Sequence, residues 1–327
     1  MFFSSAPLRR LRRSLFGISL EEITFVKRGF YRGGEPRSQQ RLEQIAATFV
    51  SGYHAALEDD RVEALLPALQ NVDTVSQGFA FEGAAMGLSL LDYFSPSQQR
   101  LVTFMQGAGK EHIYMLHVGA GWTLGRLPRN PYRLMQQFDP LLRWLALDGY
   151  GFHEGFFAWH RFFSDQILPR RLSGYARRVF DQGLGRSLWF VKGATISEIS
   201  ATIAAFPAER RSDLWSGIGL ASAYAGSASS DSLDELQALC SAAGKDRWHL
   251  AQGAAFAAKA RQRAGNPTAH TELACQTFSG LSQDEAARLS DECLQDLPAG
   301  EQNYELWRSR LRSRLANYET DTIPNRL

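Results

Sequence analysis

Histidines and carboxylates in this sequence gather beside glycines, at a spacing that could bring acids and imidazoles together. His117 and His153 each lie two residues before a glycine, Gly119 and Gly155, and Asp181 has the same offset from Gly183. Glu82 and Glu154 stand directly before Gly83 and Gly155. His153 and His160 are seven apart, two turns of an uninterrupted helix, and would share a face. Converging, these groups would suit a general acid–base pair or a non-haem iron, manganese or zinc site. No HExxH, Glu-x-x-His, CxxC or aspartate-rich diphosphate motif is present, so the spacing names no metal and no cofactor. The competing reading makes each histidine a hydrogen-bonded structural residue at a helix contact, and Glu82 and Glu154 helix caps. His270-Thr271-Glu272 is a further His/Glu pair outside the series.

The elements that must position these groups follow from the glycines. Gly52, Gly83, Gly119, Gly155, Gly183, Gly217 and Gly253 are separated by 31, 36, 36, 28, 34 and 36 residues. A period near 34 is that of helix–turn–helix repeats, which bury their apolar faces by stacking on neighbours. A glycine inside a helix costs roughly 1 kcal/mol against alanine, so seven need a reason, and close helix packing supplies one. The residue before each glycine, Ser51, Glu82, Val118, Glu154, Gln182, Ser216 or Gln252, is polar in six of seven cases and would line one surface of the superhelix. Aromatic residues near the same steps, among them Trp122, Phe157 and Trp215, would make an apolar groove suited to a polyene or acyl chain. Their alternative role is plain packing.

The 327 residues are 44% hydrophobic and 21% charged with a net charge of +2, an ordinary globular balance that gives no argument for nucleic acid. Cys240, Cys275 and Cys293 are odd in number and widely spaced, which suggests buried thiols in a reducing compartment and a cytoplasmic protein. No run approaches a membrane span, and no apolar segment follows the N-terminal arginines as a secretory signal would require. Gly119-Ala120-Gly121 and Gly217-Ile218-Gly219 follow no strand, so a dinucleotide fold is unsupported.

Residues 1–36 read as a basic arm, with Leu8 to Phe16 an amphipathic stretch that docks its leucines on the body or touches a membrane surface or acidic partner. Residues 37–327 read as one helical-repeat domain. Leu42, Ile45, Phe49 and Tyr53 place one apolar face on its first helix. Leu65-Leu66-Pro67 is expected to break the chain, Ser95-Pro96 and Ser282 to Glu285 to start helices, and Gly226 to Ser230 to form a short linker. Tyr304 to Leu315 is expected to cap the array. With little period-2 alternation, the fold class is all-α: a superhelix of stacked antiparallel helix pairs, either a TPR-like α-solenoid or a closed α/α array.

Several strings carry a family resemblance. Phe79 to Met86, His117 to Trp122, Trp144 to Glu154, Phe180 to Arg186, Asp213 to Gly219 and Ala251 to Arg261 resemble those of the UnbL-type proteins. That bacterial family accompanies enediyne polyketide synthases and is otherwise classed as a domain of unknown function. Covering roughly residues 20 to 315, the resemblance implies a part in enediyne antibiotic biosynthesis, acting on or beside a linear polyene from an iterative synthase. It implies no catalytic residues. The expected function is therefore a protein that binds a hydrophobic polyene in a helical-repeat groove and assists its conversion to the enediyne core, catalytically or by holding it. Glu82, His117, His153, Glu154 and Asp181 are the candidate catalytic groups. Trp122, Phe157, His160, Gln182, Trp215 and Gln252 are the candidate lining residues. The rival expectations are a scaffold docking the synthase and other pathway enzymes, and a His/carboxylate metal-dependent oxidative enzyme.

Overall fold

Two concentric layers of helix follow from one sequence feature, glycine pairs set at the middle of long apolar segments. The computed structural model describes residues 6–228, 232–298 and 300–322, and among these there is no strand. The helices are α1 (Ala6–Phe16), α2 (Phe25–Arg28), α3 (Pro36–Glu58), α4 (Val62–Gln70), α5 (Gln77–Phe94), α6 (Arg100–Gln106), α7 (Ile113–Arg126), α8 (Pro131–Met135) and α9 (Leu145–Phe157). They continue as α10 (Tyr175–Val191), α11 (Ile196–Ala204), α12 (Ala208–Tyr224), α13 (Leu233–Ala243), α14 (Arg247–Ala264), α15 (Ala269–Ser279), α16 (Gln283–Glu292) and α17 (Asn303–Thr322). The expected all-α helical array is what forms.

Helices α3, α5, α7, α9, α10, α12 and α14 make the inner layer, each packed on the next. Their glycine-bearing middle turns are buried, and residues 78–92 of α5 are buried throughout, whereas α3 and α14 also carry exposed charges such as Arg37 and Arg263 at their outer ends. Shorter segments, α4, α6, α8, α11 and α13, alternate with them. The array curls back on itself. Arg41 of α3 donates to the Ala225 carbonyl after α12, and Arg261 and Asn266 donate to the carbonyls of Val75 and Thr74.

Glycine sets how closely the inner helices approach. Each of α7, α9, α10 and α12 carries Gly-x-Gly, the first glycine facing the preceding inner helix and the second the following one. A Cβ on Gly119 would overlap the Glu82 carbonyl oxygen, and one on Gly121 that of Ala146. Gly149 and Gly151 meet the carbonyls of Val118 and Phe180, Gly183 and Gly185 those of Asp148 and Leu214, and Gly217 and Gly219 those of Gln182 and Leu250. Gly52 against Ala80, Gly83 against Phe49 and Gly253 against Ser216 extend the series to both ends. Contacts this close bring Cα–H groups onto carbonyl oxygens, each worth about 0.5–1 kcal/mol. Gly155 departs from the expectation. Its missing side chain faces the Ser187 hydroxyl, not a backbone carbonyl, so the glycine of α9 in register with the others is Gly149.

Other expectations are corrected locally. Pro67 lies inside α4 and does not end it. Ser95 makes no side-chain cap, and Pro96 opens a 3₁₀ turn. The Ser282–Glu285 capping box is formed, with Ser282 Oγ accepting from the Glu285 amide and Glu285 accepting from the Ser282 amide. The Gly226 to Ser230 linker falls partly outside the described residues, at Ser229 and Ser230. Helix α17 covers the end of the array, burying Tyr304, Trp307, Leu311 and Leu315.

The basic arm docks the other way up from the leucine-inward expectation. Arg9, Arg12 and Arg13 pair with Asp59, Asp60 and Glu58, while Leu11 and Leu15 are 53% and 63% exposed. Three acids at the C-terminal end of α3 oppose its dipole, and the guanidinium face of α1 offsets them. None of the three cysteines is in a disulfide; Cys275 and Cys293 are buried and Cys240 half-buried. No described helix is long and apolar enough to cross a membrane.

The glycine contacts generate a graded prediction. Gly183→Ala forces a methyl against backbone and is expected to cost roughly 3 kcal/mol, whereas Gly155→Ala displaces a side chain and is expected to cost about 1 kcal/mol, read from urea midpoints. Equal costs would show that the carbonyl contact does not set the spacing.

Candidate functional site

The residue before each backward-facing glycine is buried in the array, and all of these residues except the apolar Val118 take part in one line of polar contacts. They are Glu82, Val118, Asp148, Gln182, Ser216 and Gln252, one from each of α5, α7, α9, α10, α12 and α14. Gln182 Nε2 donates to Asp148 Oδ2 at 2.7 Å. Ser216 Oγ lies 3.2 Å from Gln182 Oε1 and 3.1 Å from Gln252 Oε1. Arg308, from α17, donates to Gln252 Oε1 at 3.2 Å and to Asp213 Oδ1 at 2.8 Å. At the other end Arg186, one turn beyond Gln182, donates to Asp148 Oδ1 and lies 3.8 Å from Glu82 Oε1. The result is a buried polar ladder along the middle of the array, with Arg186 and Arg308 near its ends.

Arg186 stands between two apolar cavities. The first is lined by Ile18, Ile45, Phe49, Phe79, Phe152, Phe156, Phe157, Phe190 and Trp122 among others, a slender space with a cavity volume of about 40 Å³. The second, lined by Met115, Val118, Phe256, Lys259 and Trp307 with others, is equally slender at about 40 Å³. Arg186, Leu220 and Tyr224 line both. The first cavity is narrow and aromatic-walled: Trp122 stacks on Phe49 with centroids 4.1 Å apart and leans on Phe152 at 5.0 Å.

Its inner end is ionic. Trp122 Nε1–H donates to Glu82 Oε1 at 3.0 Å. Burial pushes the Glu82 carboxyl up to about 7, although Arg186 and the Trp122 hydrogen bond pull the other way. Burial also raises the Tyr224 phenol, whose hydroxyl is buried against Gly78 and has no hydrogen-bond partner.

The candidate residues from sequence fall into separate places. Glu82, Trp122 and Phe157 are on the first cavity wall. His153 packs its ring on Trp122 and Phe157, at 5.8 Å and 4.9 Å, from the far side of that wall. There it lines an outer cleft with Gly17, Ile18, Glu22, Arg126 and Phe157. Ile18 and Phe157 border both the cleft and the cavity. Burial lowers the His153 imidazole, and its Nδ1 lies 3.5 Å from half-buried Glu154, too long for a strong hydrogen bond. His117 is elsewhere, its Nδ1–H donating to the Ile113 carbonyl at 2.7 Å and its ring edge-on to Phe138. Asp181 takes a two-pronged contact from Arg210, at 2.8 and 2.6 Å, that ties α10 to the start of α12. His160 is exposed and stacked on Trp159, because α9 ends at Phe157 and the two-turn relation to His153 is lost. Gln182 and Gln252 are rungs of the ladder, and Trp215 is buried but lines neither cavity. The five candidate catalytic groups do not form one cluster. Among the described residues no group of three or more His, Cys, Asp or Glu side chains is placed to hold a metal.

Asp148, Arg186, Tyr224 and Arg308 were missed. The signal for Asp148 was present: Gly-x-Gly recurs at 119, 149, 183 and 217, and reading α9 from Gly149 puts Asp148 where Glu154 had been placed. For Tyr224 and Arg308 the sequence offers no such marker.

Fold and site together define an all-α helical array with an internal aromatic cavity closed by an ion pair. Residues 7–315 match the family model described as "Protein of unknown function (DUF1702)", and the chain belongs to that family. No curated protein and no solved structure matches it.

The buried titratable groups give opposite pH dependences. His54, His112, His117 and His249 are pushed down to about 4 and His270 to about 3, chiefly by burial. Below the ordinary imidazole range the unfolded chain binds the extra protons, so stability falls as pH drops from about 6.5 toward 4. Glu82, and Asp181 raised to about 6, act conversely. The folded state keeps protons the unfolded chain has released, so stability falls as pH rises from about 4 through 7. Glu82→Gln is expected to gain in Tm relative to the parent between pH 5 and pH 8. A Tm difference that is flat across that range would contradict the buried, proton-holding carboxyl.

Proposed function

We propose that this protein binds a slim, linear hydrophobic chain, the polyene of an enediyne-type polyketide pathway, inside the first cavity and assists its conversion toward the enediyne core. The observation that carries this reading is an aromatic-walled, narrow cavity ending on the buried Glu82–Arg186 step. Phe49, Trp122, Phe152 and Phe156 offer flat faces to a conjugated chain, and the hydrophobic gain scales with the apolar area they cover. An apolar interior, in place of a shallow polar concave face, favours a small ligand over a docked protein segment. The pathway itself is supported by the resemblance of residues 20 to 315 to the UnbL-type proteins.

The chain's own residues divide the work. Ile18, Phe157 and His153 form the mouth, and Ile18 and Ile23 bring the segment before α3 over the cavity as a cover. The aromatic walls exclude water and hold the chain extended. Glu82 is the group on that wall able to take or give a proton near neutral pH, and Trp122 and Arg186 fix its carboxyl. His117 and Asp181 act in folding, through Ile113 and Arg210.

Diphenylhexatriene, a linear polyene that brightens in apolar surroundings, tests the binding. It is expected to bind the parent and His160→Ala alike, and Ala46→Trp, which fills the cavity from its α3 wall, is expected to weaken it roughly tenfold or more at unchanged helix content. Equal binding by Ala46→Trp would move the site elsewhere. In the producing cell, deletion of the gene is expected to leave an unconverted polyene detectable by mass spectrometry. Unaltered product would remove the pathway role.

A further inference from the structure

The inner end of the cavity also restricts what the bound chain can carry. Among the described residues Arg186 is the one cation on the first cavity wall, and it is already faced by two carboxylates, Asp148 by hydrogen bond and Glu82 at 3.8 Å. Its guanidinium also lies over the Phe152 ring, 5.0 Å from the centroid, so its remaining flank is covered. The indole N–H of Trp122 is occupied by Glu82. A third carboxylate brought here would meet two like charges and would find no free cation, in a cavity whose other walls are apolar. One donor stands unused: Tyr224 is 3% exposed, borders both cavities, and its hydroxyl has no partner. A phenol O–H donates to a neutral oxygen without bringing charge. Glu82 adds a second O–H when protonated.

We infer that the chain bound in this cavity presents a neutral hydrogen-bond acceptor, the carbonyl of a thioester, ketone or ester, to Tyr224 and Glu82, and that free carboxylic acids of the same length are rejected. The inference rests on the chain-binding reading and adds to it the chemistry of the chain's polar end. It places the ligand before any hydrolytic release, because hydrolysis of an acyl thioester turns the accepted carbonyl into the excluded carboxylate. Leaving Tyr224 unpaired in the empty protein has a cost that a carbonyl oxygen recovers on binding.

The test compares cis-parinaric acid with its methyl ester, which share one tetraene chain and differ in charge, by fluorescence titration against the full chain. At pH 8 the ester is expected to bind at least roughly tenfold more tightly than the acid. The gap is expected to narrow at pH 6, where Glu82 takes up a proton and one opposing charge disappears. Tyr224→Phe keeps the ring and removes only a hydroxyl that has no partner, so it is expected to fold. It is expected to weaken the ester about threefold to tenfold and leave diphenylhexatriene unchanged, since only the ester accepts a hydrogen bond. Acid binding as tight as the ester at pH 8, or an ester insensitive to Tyr224→Phe, would overturn the inference while leaving chain binding intact. Failure of all three probes to bind would overturn the chain-binding reading, and this inference with it.

Discussion

The structure depends on glycine Cα atoms lying against carbonyl oxygens of the next inner helix. Removing a side chain at two positions in each of α7, α9, α10 and α12, and at one in α3, α5 and α14, lets seven successive helices approach along their backbones, and no other residue type leaves that space. The helix-propensity cost of roughly 1 kcal/mol per glycine is offset by close packing over the length of the contact. Because the first glycine of each pair faces back and the second faces forward, the contact repeats without changing register.

That register decides where the chemistry lies. A residue directly before the backward-facing glycine sits beside the tight contact and turns inward, so one side chain per helix is delivered to the same interior line. Where those side chains are Asp148, Gln182, Ser216 and Gln252 they hydrogen-bond to each other, and where the run reaches Glu82 it opens onto apolar space. Arg186 is the junction. Its pairing with Asp148 belongs to the ladder, and its proximity to Glu82 belongs to the cavity. A buried ion pair of this kind is weak evidence for stability, since desolvation opposes its attraction, but it is a strong constraint on which ligand ends fit beside it.

Much of this was legible in the residue pattern. The 34-residue period, the all-helical class, the packing reason for the glycines and the inward placement of Glu82, Gln182, Ser216 and Gln252 follow from spacing and helix geometry alone. Helix α9 is the ambiguous one, because it carries Gly155 beyond its packing pair Gly149 and Gly151, and all three compete for alignment. Alignment on Gly155 is six residues out of register and sets Glu154, half-buried beside the outer cleft, in the place that Asp148 occupies. The recurrence of Gly-x-Gly at 119, 149, 183 and 217, not any likeness to a dinucleotide fingerprint, carries the register. Arg308, Tyr224 and the arginine-inward docking of α1 are decided by tertiary partners distant in sequence, Asp213, Gly78 and the acids of residues 58–60, and no local pattern reports those.

The most direct measurement is a crystal structure of the protein soaked with diphenylhexatriene. The account predicts an extended ligand between Phe49, Trp122 and Phe156, one end against Arg186 and Tyr224, with the inner helices unmoved. A ligand seated on the outer surface, or an interior that excludes it while the glycine contacts stay in place, would contradict the claim that the glycine-packed helices enclose a site for a hydrophobic chain.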